Sequence, residues 1–517
     1  MLLRTSMFVL AATAALSAQN DFNYDKLTSC RLGNSLDLGV TAAPPSSIGL
    51  FLVSSNAGPL PLILLDGVDT RSVQIGIDLL GLMSLQLMSP TGTALYSVPL
   101  PPSSPSLNNI EFHWQVATLA IGGPTFIGQI SNDIVTQTGM PDTGVLTPAT
   151  LNTARALATS FFDRNNNGGG GDVVIAGGGT GSLTSATGLA TTEVWDFRHM
   201  QCVAGATMTT ARALHLAVPL NDTRVLIIGG VNATGATLSS CEIYDPATNS
   251  YAATGSMATP RVLHAACRLA DGRVMVAGGT ATVQPDVIAA LTSTQNTVEI
   301  WNPATGLWSN ANPIGGARLA PALTLLSNNQ IMVSGGIQVT VLFGIPVAAN
   351  SVTTVQRWNP ATGSWTAGAN MGQARAGHHY NQITLLDGRV LMTGGVDMTS
   401  LTAYQTAAPI LGAEAYNPTT NTWAAYNMPN ARALHSATRL ADGRVVVCGG
   451  AQGTLLASVP IDMVDVFTPA SNSWSTAPVL TSPRASHAAN LLPDGTLILF
   501  GGQGSSSTLA TIETLRF

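Results

Sequence analysis

Lysine is nearly absent from this sequence: Lys26 is the only one, and charged residues of every kind make up 9% of the 517. With a net charge of −6 and no basic run, the chain lacks the electrostatic footprint of a nucleic-acid binder, and it has no polybasic patch to hold an anionic membrane. Cysteine is scarce as well. Cys30, Cys202, Cys241, Cys267 and Cys448 are scattered and odd in number, without metal-ligand spacing. They read as small buried hydrophobes, with a Cys202–Cys241 disulfide left open, so stability must come from packing. No later stretch approaches the roughly twenty apolar residues that a spanning helix needs, and no membrane insertion is expected. The metalloprotease pattern HExxH, the nucleotide loop GxxxxGK(S/T) and the elbow GxSxG do not occur. Gly168 to Gly171 precedes no helical pattern and is no phosphate cradle.

What the chain does have is small, turn-forming and apolar: 52 Gly, 29 Pro and 45% hydrophobic residues. That mixture fits many short strands joined by tight turns, not disorder, which needs low hydrophobicity and high charge. Residues 1–18 read as an export signal, with Arg4, an apolar core from Met7 to Leu16, and small residues at Ser17 and Ala18. The mature protein is therefore expected outside the cytoplasm, secreted or periplasmic.

Residues 19–138 carry strand-like runs at 35–40, 47–53, 60–65, 73–77, 94–100 and 111–120, separated by Pro, Gly, Ser and Asn clusters. This is the pattern of a small antiparallel sandwich. Through Val98-Pro-Leu-Pro-Pro102, Phe112-His-Trp-Gln115 and Ser131-Asn132 it resembles β-sandwich modules of secreted bacterial proteins, which implies an accessory or interaction module and names no ligand.

From 139 to 517 one unit recurs, clearest at 432–474. Glycine doublets begin at Gly177, Gly229, Gly278, Gly335, Gly394, Gly449 and Gly501, and a period near fifty marks a repeat architecture. An arginine opens each unit: Arg155, Arg212, Arg261, Arg318, Arg375, Arg432 and Arg484. Strand A is expected to begin there. Asp271-Gly272, Asp387-Gly388, Asp442-Gly443 and Asp494-Gly495 then predict tight A–B hairpins. Strand B is the apolar run that ends at the doublet. Strand C brings an aromatic (Trp195, Tyr244, Trp301, Trp358, Tyr416 or Phe467), and strand D a second one (Tyr251, Trp308, Trp365, Trp423 or Trp474).

The Gly-Gly doublet, the aromatic-Asp/Asn-Pro turn and the later Trp are those of kelch repeats. The resemblance implies an all-β chain, a seven-bladed kelch β-propeller preceded by a small antiparallel β-sandwich domain. The seventh repeat ends at Phe517 without a strand D of its own. Counting back from Arg155 predicts that Gly144 to Pro148 supplies that strand and closes the ring.

Candidate sites compete with scaffold roles. Seven arginines could bind an anion, yet strand C offers Glu193, Glu242, Glu299, Gln356, Glu414, Asp465 and Glu513 at the matching positions, which predicts one structural pair per blade. His215, His264, His378, His435 and His487 follow the arginines by three residues and are expected on the opposite strand face, as scaffold more than as metal ligands. Some kelch propellers, of the galactose-oxidase kind, are copper radical oxidases using two tyrosines, one linked to a cysteine, and two histidines. His378-His379-Tyr380 is the nearest fragment here, and no cysteine is placed to join a channel tyrosine, so no cofactor is expected. Residues of the kelch mutarotases are not identifiable. Asp163-Arg-Asn165-Asn-Asn167-Gly168 begins like a calcium loop, but Gly171 and Val174 fall at later ligand positions, which leaves loop 163–172 a weak Ca²⁺ candidate.

The B–C loops differ from blade to blade. The long ones, 280–296 and 337–352, and the stretch after Gly394 carry apolar groups, notably Val341, Leu342, Phe343, Leu401 and Tyr404. Those five residues are the expected ligand-binding set, for a protein or polysaccharide on the B–C face around blades three to five. The competing reading is a carbohydrate-active enzyme, an oxidase or mutarotase, with its site at the channel mouth.

Overall fold

The computed structural model describes residues 23–27, 30–31, 34–55, 57–61, 72–75, 84–100, 110–119, 127–138, 144–163, 171–180, 185–284, 286–454 and 457–517. The export-signal stretch 1–18 and the loop residues 164–170 lie outside them. The chain forms two compact units, Met1–Leu27, Leu36–Val98 and Ile110–Gln137 in one, Thr28–Ser35, Pro99–Asn109 and Thr138–Phe517 in the other.

Among the described residues the first unit holds three antiparallel sheets, of which Ala57–Pro61 with Ser72–Ile75 is a two-stranded ladder and the other two are larger. Of these two, one has strands Asn23–Lys26, Ser35–Thr41 and Ala94–Pro99; the other is built on Glu111–Leu119, flanked by Ile48–Ser54 and Ile134–Gln137. Phe51 of the second sheet meets Tyr96 of the first with ring centroids 4.7 Å apart, so the sheets pack face to face. The only lysine is buried here, and Lys26 Nζ donates to the Val135 carbonyl at 2.8 Å.

The second unit contains seven four-stranded antiparallel sheets, each in the order A-B-C-D. The inner strands A are Thr159–Phe162, Leu216–Pro219, Ala265–Arg268, Ala322–Leu325, Gln382–Thr384, Ser436–Arg439 and Ala488–Leu491, and they contact one another around a ring. Strands B, such as Val225–Ile228 and Val445–Cys448, are buried at every residue because a neighbouring blade covers each face, which is why they read as unbroken apolar runs. On the outer side the aromatic of strand C sits opposite that of strand D, as Tyr416 does Trp423 and Phe467 does Trp474. The Trp423 indole N–H then reaches back to the Ala369 carbonyl of the preceding blade at 2.8 Å.

Closure follows the sequence expectation. Val145–Thr150 pairs antiparallel with the C-terminal strand Thr511–Arg516, Val145 opposite Thr514, and completes blade seven. The ring has no open end, so no unpaired outer edge is left at the join.

Two local expectations are corrected. Strand A does not begin at the arginine but four residues later in six blades. Between them lies one residue in the left-handed region: Leu157, Leu214, Leu263, Ala320, Gly377, Leu434 or Ser486, with φ from 50° to 68°. That residue breaks the strand, so the alternation that would place arginine and histidine on opposite faces does not apply. The Asp-Gly turns also differ from a two-residue hairpin. Only Gly272, Gly388, Gly443 and Gly495 have positive φ, and the Gly272 N–H bonds the Leu269 carbonyl, which makes a longer turn closed by a glycine bulge.

The glycine doublets are required by blade packing. A Cβ on the first glycine of any doublet would fall within 2.7 Å of the carbonyl oxygen of the next blade's arginine. Replacing Gly394 by alanine would drive a methyl into Arg432 O at φ +52°. Gly363, at φ +66°, has nothing within 4 Å and isolates the backbone strain alone. We expect Gly363→Ala to cost about 1 kcal/mol and Gly394→Ala at least about 3 kcal/mol in denaturant unfolding. Equal losses would show that the seam has slack.

Candidate functional site

Each seam arginine is almost wholly buried and bonded twice over. Its Nη1 donates to the first glycine of its own blade's doublet and to the carbonyl two residues before the strand C acid, as Arg212 does to Gly229 and Ser240 at 2.9 and 2.8 Å. Its own carbonyl accepts the N–H of the preceding blade's second glycine, from Gly178→Arg212 around to Gly502→Arg155. Six arginines meet the expected carboxylate: Glu193 at 2.7 Å, Glu242 at 2.9 Å, Glu299 at 2.7 Å, Glu414 at 2.7 Å, Asp465, and Glu513 at 3.0 Å. The acids also accept backbone N–H groups of the incoming chain, Gly372 and Gln373 on Glu414 for example, at 2.6 and 3.0 Å. These arginines are therefore structural, and blade four alone has no carboxylate.

The histidines belong to the same seams. Nε2 of His215, His378, His435 and His487 meets a hydroxyl of the preceding blade, from Thr159, Ser334, Thr393 and Ser436, at 2.8 to 3.1 Å. At the repeat positions that supply these hydroxyls the preceding blade carries Leu216 and Ile228, and both ring nitrogens of His264 are left without a hydrogen-bond partner. Burial, then the neighbouring Arg212 charge, holds His215 down to about 3; burial and Arg484 hold His487 at about 3. Burial also pushes His264, His378 and His435 well below the usual imidazole range.

A cavity of about 340 Å³ runs along the inner strands. All seven left-handed residues line it, and five of the links between neighbours in this ring are backbone bonds, such as Leu214 N–H to Leu157 O. Blade five departs from the pattern. Its arginine lies 19 residues before its glycine, against 17 in blade four, and the extra length forms a 3-10 turn, His379–Asn381. His379 lines the cavity while His378 turns into the seam, so the two adjacent histidines diverge. Burial holds His379 down to about 4. Among the described residues the lining contains no carboxylate and no lysine or arginine.

The B–C loops of blades three to five pack on one another. Helix α1 (Val287–Thr292), N-capped by Asp286, the hairpin Ile337–Leu342 with Ile345–Ser351, and the turn Leu401–Ala403 enclose Leu291, Ile337, Val339, Ala349, Met398 and Ala407. This cap also packs on the channel-rim residues Leu263 and Ala320. Of the five residues expected to bind ligand, Val341, Leu401 and Tyr404 are part-buried in the cap, a placement that loop sequence without periodicity could not give. Leu342 and Phe343 stand outside, at 53% and 103% exposure, with Ile345 and Val347 beside them. Phe343 and Gly344 have φ of +50° and +78° and form the hairpin tip.

All five cysteines are free thiols. At the end of the weak calcium candidate 163–172, the Asp172 carboxylate accepts the Phe197 N–H at 2.9 Å and so serves the blade's own turn. Among the described residues no three His, Cys, Asp or Glu side chains converge as a metal ion would require.

A profile of the Kelch motif matches residues 212–257. The Kelch-like protein terF of Aspergillus terreus is 27% identical over 225 residues, 41% of this chain and 46% of that protein, so the chain spans about half the length of this curated relative. Among solved structures, a fungal alcohol oxidase of the AA5 family in complex with copper superposes with a TM-score of 0.51 at 15% identity, over 72% of this chain and 75% of the other. The repeats are kelch repeats and the fold is a kelch β-propeller. The copper belongs to that neighbour's description and is not carried over to this chain.

Two consequences can be measured. Arg432→Ala would strand the buried Asp465 carboxylate and should cost about 3–5 kcal/mol. The histidines are neutral when folded, whereas the unfolded chain protonates them near the ordinary 6.5. Stability is therefore complete above that pH and lost as pH falls from 6.5 toward 3–4, by up to about 1.4 kcal/mol per pH unit per histidine. Urea midpoints at pH 7.5, 6 and 5 should decline in that order, and a flat profile would contradict the burial of these rings.

Proposed function

We propose that this kelch propeller is a non-catalytic binding protein that recognises a protein partner through the hairpin of blade four. The observation that carries the reading is Phe343, fully exposed and in the left-handed region, where a hairpin turn favours Asn, Asp or Gly. That conformation costs of order 1 kcal/mol and the fold gains no packing from the ring. Leu342, Ile345 and Val347 extend the same apolar tip, and the packed cap holds it at a fixed place. No charged residue occurs between Arg318 and Arg357, so the complementary surface is uncharged. A polysaccharide stacking on Phe343 is the second occupant of the same tip. The reading of residues 1–18 as an export signal places the encounter outside the cytoplasm.

The enzyme alternative at the channel has the cavity in its favour. Burial, however, holds His379 down to about 4, and among the described lining residues no carboxylate stands beside it to complete an acid/base pair.

The test is selection of phage-displayed peptides on the full chain beside the double variant Leu342→Ser/Phe343→Ser, with a glycan array run in parallel. Apolar peptides should enrich on the wild type and lose at least about tenfold on the variant, whose stability should stay within about 0.5 kcal/mol. Equal enrichment on both would remove the hairpin from function, and glycan binding lost in the variant would make the partner a polysaccharide.

A further inference from the structure

Blade four breaks the arginine pattern at the level of single atoms. Arg318 is 1% exposed, and its Nη1 donates to the carbonyls of Gly335 and Thr354 at 3.1 and 3.0 Å. Its Nε has no acceptor, as is true of Arg375, Arg432 and Arg484, but in this blade alone Nη2 makes no bond either. In blades one, two, three and seven Nη2 donates to a carboxylate and also to a hydroxyl, that of Thr191, Ser240, Thr297 or Thr511. The corresponding hydroxyl of blade four, Thr354 Oγ1, is buried and unpartnered too.

Gln356 is the cause. Its Oε1 accepts the Gly315 N–H at 2.9 Å, the task a glutamate oxygen performs in other blades, while its Nε2 donates to the Gly315 carbonyl at 3.2 Å. A neutral amide anchored this way gives the guanidinium neither an acceptor nor a charge. Burial lowers Arg318 to about 10 with no acid opposing it, so it still carries its proton at neutral pH. Thr354 and Gln356 are half-buried and Gly315 is exposed, so the place lies just beneath the surface.

We propose that the slot bounded by Arg318, Thr354 and Gln356 is a binding site for a small monovalent anion, a halide or a formate-sized carboxylate, which does for blade four what the strand C acid does for the other six. An ion there would accept from the unused guanidinium N–H groups and the Thr354 hydroxyl together and cancel the one uncompensated buried charge of the ring. This site is independent of the hairpin reading, since its occupant is an ion and not a partner protein.

The experiment uses the full chain in sodium isethionate, with chloride replacing isethionate at constant ionic strength. Thermal unfolding midpoints should rise saturably by about 1–2 °C. The chloride-35 resonance should broaden in the presence of protein and sharpen again when formate is added as competitor. Gln356→Glu restores the acid, and it should raise the midpoint in isethionate and abolish both chloride effects. Broadening that formate does not reverse would restrict the site to halides. Identical midpoints in the two salts, or chloride effects that persist in Gln356→Glu, would overturn the proposal and leave only adventitious surface binding.

Discussion

A guanidinium taken out of water needs both its charge answered and its N–H groups satisfied, and this propeller meets that demand at every junction between blades. The side chain of each seam arginine is held by its own blade, through a glycine carbonyl and an acid on strand C, while its backbone carbonyl is held by the blade before it. Most of the repeat is a consequence of this arrangement. The doublet must be glycine because the arginine carbonyl of the next blade occupies the space a side chain would need. The acid must lie on strand C because only there does it reach both the guanidinium and the incoming backbone N–H groups. Such a pair is weak evidence of net stabilisation, since desolvation offsets much of the attraction. What it fixes is register: a blade slipped by one residue would bury a charge alone.

How far this was legible in the sequence varies with the residue. The arginine, acid and glycine recur at matched positions, and chemistry pairs them without coordinates. Closure by Val145–Thr150 could be counted out because the period is regular. The left-handed residues were not visible, since leucine at Leu157, Leu214, Leu263 and Leu434 carries no signal of positive φ and reads as the start of a strand. Their conformation follows from the tertiary ring, in which each carbonyl or N–H reaches a neighbouring blade. Blade five's longer spacing was present in the sequence, yet nothing in His378-His379-Tyr380-Asn381 shows that the first histidine enters the seam and the second the channel. In the cap, Val341 and Leu342 are adjacent and equally apolar; only the pairing of the hairpin decides that one is packed and the other exposed.

Repetition and exception divide the work of the chain. What recurs seven times serves the seams, including histidines that in isolation resemble metal ligands or bases. What occurs once gathers around blades three to five: the helix, the hairpin, the 3-10 turn and the cap core. A ring closed by strand pairing tolerates such differences because loops at one face add little to the stability of sheets that are already complete. Function is therefore sought among departures from the repeat.

Blade four gathers two of these departures in one segment. Its arginine lies within a short strand, Ala317–Leu319, that pairs with the hairpin, Arg318 opposite Gln338; among the described residues no other seam arginine is part of a strand. The blade that lacks the strand C acid is thus also the one whose arginine backbone supports the exposed hairpin. Arg318's own N–H and carbonyl bond Gln295 and Gly279 of blade three, while Ala317 opposite Val339 and Leu319 opposite Ile337 flank it in the pairing with the hairpin. The seam of blade four and the position of Phe343 are consequently two ends of one hydrogen-bonded sheet. A change in what satisfies Arg318 would therefore reach two places outside its own blade, the hairpin beside it and the Gln295 and Gly279 backbone of blade three.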